Sequence, residues 1–168
     1  EGEDTIKEVV KGAPLEGILG ISYRKDSRVI HNENRPLPDV NKIAPPDRSL
    51  RRNKYGAVLN GVRMMRATFD TILSSRGCPH NCKFCTFNLN PMGQKRFYTS
   101  RSPESVINEI ENIPSDMILF CDDNFFVEPR RSEKICDEII KRGIKKRFVA
   151  QTRIDVARHP WLLEKIAK

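Results

Sequence analysis

The stretch Ser74-Ser75-Arg76-Gly77-Cys78-Pro79-His80-Asn81-Cys82-Lys83-Phe84-Cys85 constrains this chain more than any other. Three of the five cysteines fall within eight residues, spaced C-x3-C-x2-C, directly after the apolar run at residues 69–73. Three thiolates on one short loop can hold three irons of a cubane cluster, because such clusters are ligated by cysteine sulfur. The fourth iron is then left without a protein ligand. A substrate-like chelate can bind there, as at the free position of a catalytic metal.

Two other uses of the cysteines compete. With His80 among them they could make a Cys3His zinc site. Zinc motifs usually split their ligands into two separated pairs, whereas here all sit in one loop after a strand. A disulfide framework fits less well, since five is an odd count and no secretory signal is visible. Reduced thiols at this density point to the cytoplasm.

With 168 residues the chain can bury one core, or one core and a fragment of another. No apolar run is long enough to span a membrane. The net charge of +8 is concentrated: residues 42–66 hold seven Lys/Arg against one acid, and residues 130–147 hold eight against three. Such patches can bind nucleic acid. The simpler reading is solvated surface, and nucleic acid is not among the expected partners.

Along the chain, Thr5 and Glu8 are spaced as a capping box before a short helix that Gly12 and Pro14 end. Residues 17–30 read as a β-hairpin around Lys25-Asp26-Ser27. Residues 32–67 read as a proline-rich connector, in which Arg51-Arg52-Asn53-Lys54 is a solvated face. From residue 68 strands and helices alternate. Strands are expected at 69–73, 117–121 and 147–151. The first helix starts at Ser102-Pro103-Glu104, with a Ser cap, Pro at the first position and acid in the first turn. A second covers 130–142 and ends at Gly143, and a third opens with Trp161. This alternation predicts a parallel sheet with chemistry at the carboxyl ends of the strands, where the cysteine loop, Asp122-Asp123 and Gln151-Thr152-Arg153 fall. Cys121 and Cys136 read as small packing residues.

The cysteine spacing, with Phe84 just before the last cysteine, resembles the hallmark of the radical S-adenosylmethionine (SAM) superfamily. The resemblance covers residues 68–168 and implies the first three βα units of a partial TIM-type barrel. Residues 1–31, with Glu1-Gly2-Glu3, a helix and a hairpin, resemble the tail of a Rossmann-like cobalamin-binding domain that precedes the cluster domain in one subfamily. The organisation implied is that tail at 1–31, a connector at 32–67, and the N-terminal part of a radical SAM domain at 68–168.

The same resemblance implies a 4Fe-4S cluster on Cys78, Cys82 and Cys85, with SAM chelating the open iron and Phe84 beside its adenine. Asp122 or Asp123 would accept hydrogen bonds from the SAM ammonium, although many relatives carry Gly-Gly-Glu where this chain has Cys-Asp-Asp. Gln151 and Arg153 would reach SAM or substrate, or pair with nearby acids. The activity implied is reductive cleavage of SAM to a 5′-deoxyadenosyl radical, fed by a low-potential donor of the flavodoxin or ferredoxin type and acting on a small molecule. Cobalamin would belong to the full-length protein, in a methyl-transferring or ring-rearranging enzyme. The alternatives are an RNA-modifying methylthiotransferase-like enzyme and a zinc-binding nucleic-acid module. The chain by itself is expected to be an internal fragment, without turnover and with an unpaired edge on its third strand.

Overall fold

The structure, a computed structural model, describes residues 1–53, 56–59, 62–86 and 96–168. Helix α1 (Glu3–Val10) opens the chain and is capped by Gly2. The expected capping box does not form. Thr5 lies inside the helix, where its hydroxyl donates to the Leu19 carbonyl at 3.1 Å and accepts from Arg35 Nε at 3.0 Å. Glu8 pairs with the Arg35 guanidinium instead of the helix N-terminus. Long-range partners thus take over both polar side chains that local spacing assigns to a cap. Gly12, at φ +74°, ends the helix in the left-handed region that glycine tolerates.

Strands β1 (Ser22–Lys25) and β2 (Arg28–His31) pair antiparallel. Their two-residue turn has Asp26 and Ser27 both at positive φ, the combination that matches the twist of a tight hairpin. Two 3-10 turns follow, each started by an aspartate whose carboxylate accepts from the backbone N–H two residues on: Asp39 from Asn41, and Asp47 from Ser49.

The stretch expected to be connector already contains strands. β3 (Gly56–Leu59) pairs antiparallel with β4 (Val62–Ile72), so the first strand starts well before residue 69. Residues 54, 55, 60 and 61 of that connector, and 87–95 of the extended cysteine loop, lie outside the described residues. β5 (Ser75–Gly77) and β6 (Tyr98–Ser100) form a short antiparallel ribbon. β7 (Met117–Phe120) and β8 (Arg147–Ala150) complete a sheet of order β3-β4-β7-β8, in which β4, β7 and β8 run parallel. Among the described residues the outer edge of β8 has no strand partner.

Helix α2 (Pro103–Asn112) follows β6 and is capped by Ser102, whose hydroxyl oxygen accepts from the Ser105 N–H at 3.2 Å. Helix α3 (Pro129–Lys141) follows β7, with Gly143 at φ +62° just beyond its end. Helix α4 (Pro160–Ile166) closes the chain. The 3.6-residue period of α2 places Val106, Ile107 and Ile110 on one face, packed against Ile72, Ile118 and Phe120 of the sheet and Ile135 of α3. Fully burying each such side chain is worth roughly 1.5–3 kcal/mol, which holds the helices on the sheet. Ile118 and Phe120 are buried, whereas Met117 and Leu119 on the opposite face are only half-buried.

Candidate active site

β4 delivers the chain to Ser74, which is fully buried and tied on every side. Its hydroxyl donates to Asp122 Oδ1 at 2.9 Å and its backbone N–H reaches Asp122 Oδ2 at 3.3 Å. The Ser75 hydroxyl also donates to Asp122 Oδ1. The Ser74 carbonyl accepts from the Arg101 N–H at 2.9 Å and from Arg131 Nη2 at 2.7 Å. Asp122, at the carboxyl end of β7, is 1% exposed, and Ser74 and Ser75 engage both its oxygens. It does not cap the next helix, which starts at Pro129 under Glu128.

The ribbon then aims the cysteines. Gly77 has φ +79°, and a Cβ there would lie 2.3 Å from the Phe97 carbonyl oxygen, so only glycine lets the two strands approach this closely. Cys78, Cys82 and Cys85 follow on one loop, all half-buried and none in a disulfide. The Cys85 N–H donates to the Cys82 carbonyl at 3.0 Å, turning the loop back on itself. Arg76 and Arg96, on either side of the ribbon, pair with Glu3 and Glu1. The hydrogen bond from Arg76 holds the Glu3 carboxyl below its ordinary pKa against the opposing effect of burial.

The ends of the other parallel strands meet this loop. The Phe125 N–H donates to the Gln151 carbonyl at 3.0 Å, joining the segments after β7 and β8. Arg153 Nη1 donates to Cys82 Sγ at 3.4 Å, and its Nε donates to Asp155 Oδ2 at 3.4 Å. Asp155 Oδ2 is also 4.0 Å from His80 Nε2. Asp123 is half-buried, and burial together with the Asp122 charge pushes its pKa up. Phe84 is 92% exposed beside the cysteines, and the Gln151 side chain is exposed.

Among the described residues, no three or more His, Cys, Asp or Glu side chains converge as ligands of one metal ion. Three thiolates along one loop, with a guanidinium N–H on one sulfur, are the donor type that an iron–sulfur cluster takes.

Several assignments made from sequence change. Cys121 is exposed, on the rim of a concavity of about 390 Å³, rather than packed inside; Cys136 is half-buried and its thiol is pushed up by burial. The basic stretches are not wholly solvated surface. Arg51 makes a two-pronged pair with Asp70, at 2.7 and 3.0 Å. Arg48 Nη2 donates to Glu109 at 2.7 Å and its Nε lies 3.2 Å from Asp70, an ion-pair contact. Arg131, inside the second basic run, is 8% exposed. Sequence reading missed Ser74, Ser75, Arg101 and Arg131 as the frame of the loop. Ser74-Ser75 directly after an apolar strand was the one signal available.

No family model matches the chain. An uncharacterized methyltransferase of Pyrococcus horikoshii is 34% identical over the whole chain, which spans 36% of that relative. The cobalamin-dependent S-adenosylmethionine radical enzyme OxsB superposes with a TM-score of 0.67 at 24% identity, over 99% of this chain and 24% of the other. The chain has the fold of a radical SAM enzyme. The radical SAM methyltransferase TsrM of Kitasatospora setae, solved with cobalamin and a 4Fe-4S cluster, shares the fold at a TM-score of 0.54 and 18% identity, over 84% of this chain and 29% of the other. The chain therefore spans about a third of the length of the Pyrococcus relative and between a quarter and a third of each solved structure.

Proposed function

We propose that the chain is the cluster-binding part of a cobalamin-dependent radical SAM enzyme of the methyl-transferring or ring-rearranging type. The observation that carries this reading is the Cys78-Cys82-Cys85 loop, leaving the carboxyl end of β4 and braced by Asp122 from the end of the adjacent parallel strand. The two solved neighbours described as cobalamin-dependent or cobalamin-bound radical SAM enzymes support the subtype, and the methyltransferase relative supports the reaction class.

In this reading Cys78, Cys82 and Cys85 hold three irons and leave the fourth open. When bound, the cluster supplies the electron for reductive cleavage of the SAM sulfonium, with a flavodoxin- or ferredoxin-type donor upstream. Asp123 is the better carboxylate for the SAM ammonium, since both Asp122 oxygens are engaged with the loop. A carboxylate–ammonium contact is charge-assisted and orients the methionine moiety. Phe84 offers a ring face to the adenine, and exposed Gln151 offers an amide to SAM or substrate. Residues 68–168 form the first part of a partial barrel, and residues 1–31 the tail of a cobalamin-binding domain, tied to the ribbon through Glu1 and Glu3. The substrate is a small molecule.

Anaerobic reconstitution tests the reading. The protein should take up about four irons per chain with matching sulfide, and adding SAM should perturb the paramagnetic resonance spectrum of the reduced cluster. Ala at Cys78, Cys82 or Cys85 should abolish uptake, whereas Ala at Cys121 or Cys136 should not. Stoichiometric zinc without iron would overturn it.

A further inference from the structure

We propose that Arg153 is a positioning residue that donates to a cluster-ligating sulfur and sets the potential of the cluster, an inference that rests on the reading of Cys82 as a cluster ligand. Arg153 Nη1 meets Cys82 Sγ at 3.4 Å across 71 residues of sequence. The position of the guanidinium is fixed from two directions. Behind it, β8 is held in register with β7, with Phe120 opposite Ala150, and the Phe125 N–H donates to the Gln151 carbonyl. Ahead of it, Asp155 accepts from Arg153 Nε at 3.4 Å and reaches back to His80, two residues before Cys82. The segment after β8 thus spans the cysteine loop and touches it at two points.

An exposed Arg–Asp pair by itself contributes little and would need no sulfur. The second prong of the guanidinium, directed at Cys82, is what such a pair leaves unexplained. A hydrogen bond to a ligating sulfur stabilises the more negative, reduced state, and such bonds are among the factors that set cluster potentials. Partners one step removed from a metal tune it in this way, by orienting and polarising its ligands. Arginine supplies the N–H at any working pH because it stays protonated.

The test uses wild type, R153Q and R153K, reconstituted anaerobically, with iron and sulfide counted and the reduction potential followed by resonance-monitored titration. R153Q should keep its iron and show a reduction equilibrium about tenfold less favourable, which is 59 mV lower for a one-electron couple. R153K keeps the charge but loses the planar fork, and its potential should fall between the other two. Equal potentials in all three proteins overturn the proposal. Should R153Q bind less iron, R153K decides: a potential below wild type supports the role, and one equal to wild type removes it. A wild-type protein that takes up no iron fails at the earlier step, defeating the cluster reading and this inference with it.

Discussion

The Ser74 hydroxyl donates to Asp122 Oδ1 at 2.9 Å, joining residues 48 apart in sequence. One buried carboxylate at the end of β7 thereby fixes the start of the cysteine loop at the end of β4. Adjacent parallel strands put the two within reach, because Ile72 lies opposite Phe120 in the register.

Asp122→Asn should consequently act on the scaffold. An amide can accept from only one of its two terminal atoms, so at least one of the bonds from Ser74 and Ser75 is lost. A hydrogen bond to a charged group is typically worth about 1.5–3 kcal/mol. We expect a denaturant midpoint lowered accordingly and reduced iron uptake, with the residual cluster binding SAM normally. A variant as stable as wild type would remove Asp122 from the frame.

Asp123→Asn should do the reverse: iron uptake and stability hold, while SAM affinity falls about tenfold to a hundredfold, the worth of one charge-assisted hydrogen bond. Burial and the neighbouring Asp122 raise the Asp123 pKa. The anionic form that binds an ammonium is present above that raised value and lost as pH falls through it. SAM affinity should therefore decline on acidification before an ordinary carboxylate would protonate, and the asparagine variant should lack that decline. Calorimetric titration of the reconstituted proteins across pH separates the two outcomes.

Asp70→Asn probes the basic segment before the cysteine loop. Asp70 is 3% exposed; burial would raise its pKa, but hydrogen bonds from Arg51, the Thr71 N–H and Arg48 outweigh it, and the net shift is downward. A depressed carboxyl contributes stability that is complete above its unfolded value of about 3.9 and is lost as pH falls through the folded value. Removing one member of such a pair should cost about 3 kcal/mol at neutral pH. Urea melts should show the gap between wild type and variant narrowing below about pH 4, while a gap constant with pH would contradict the assignment.

Gly77→Ala forces a Cβ within 2.3 Å of a backbone oxygen at φ +79°. Left-handed strain and the clash together should cost roughly 2–5 kcal/mol. Because Gly77 immediately precedes Cys78, the loss should show both as a lower melting midpoint and as poor iron uptake.

The cysteine loop, the helix after Ser102 and the stop at Gly143 were legible because each rests on local chemistry: spacing, a cap, a positive φ. The early start of β4 was not, since a strand in a basic stretch next to prolines shows no period-two signal. The β5–β6 ribbon has three residues per strand, too few for any periodicity, and Gly77 reveals its purpose only once the Phe97 carbonyl is beside it. The roles of Arg48, Arg51 and Arg131 were hidden for another reason. A run of positive charge reads as surface, and only tertiary structure brings Asp70, Glu109 and the Ser74 carbonyl to meet it.

The contacts of Glu3 with Arg76 and of Glu1 with Arg96 have a mechanical side. Arg76 stands two residues before Cys78, and Arg96, two residues before β6, has its side chain 9% exposed. A displacement of residues 1–3 larger than the reach of an ion pair must either snap both linkages or pull Cys78 along. Residues 1–3 are therefore a lever arm on the cysteine loop, and strain applied at one end arrives at the other within two residues of Cys78.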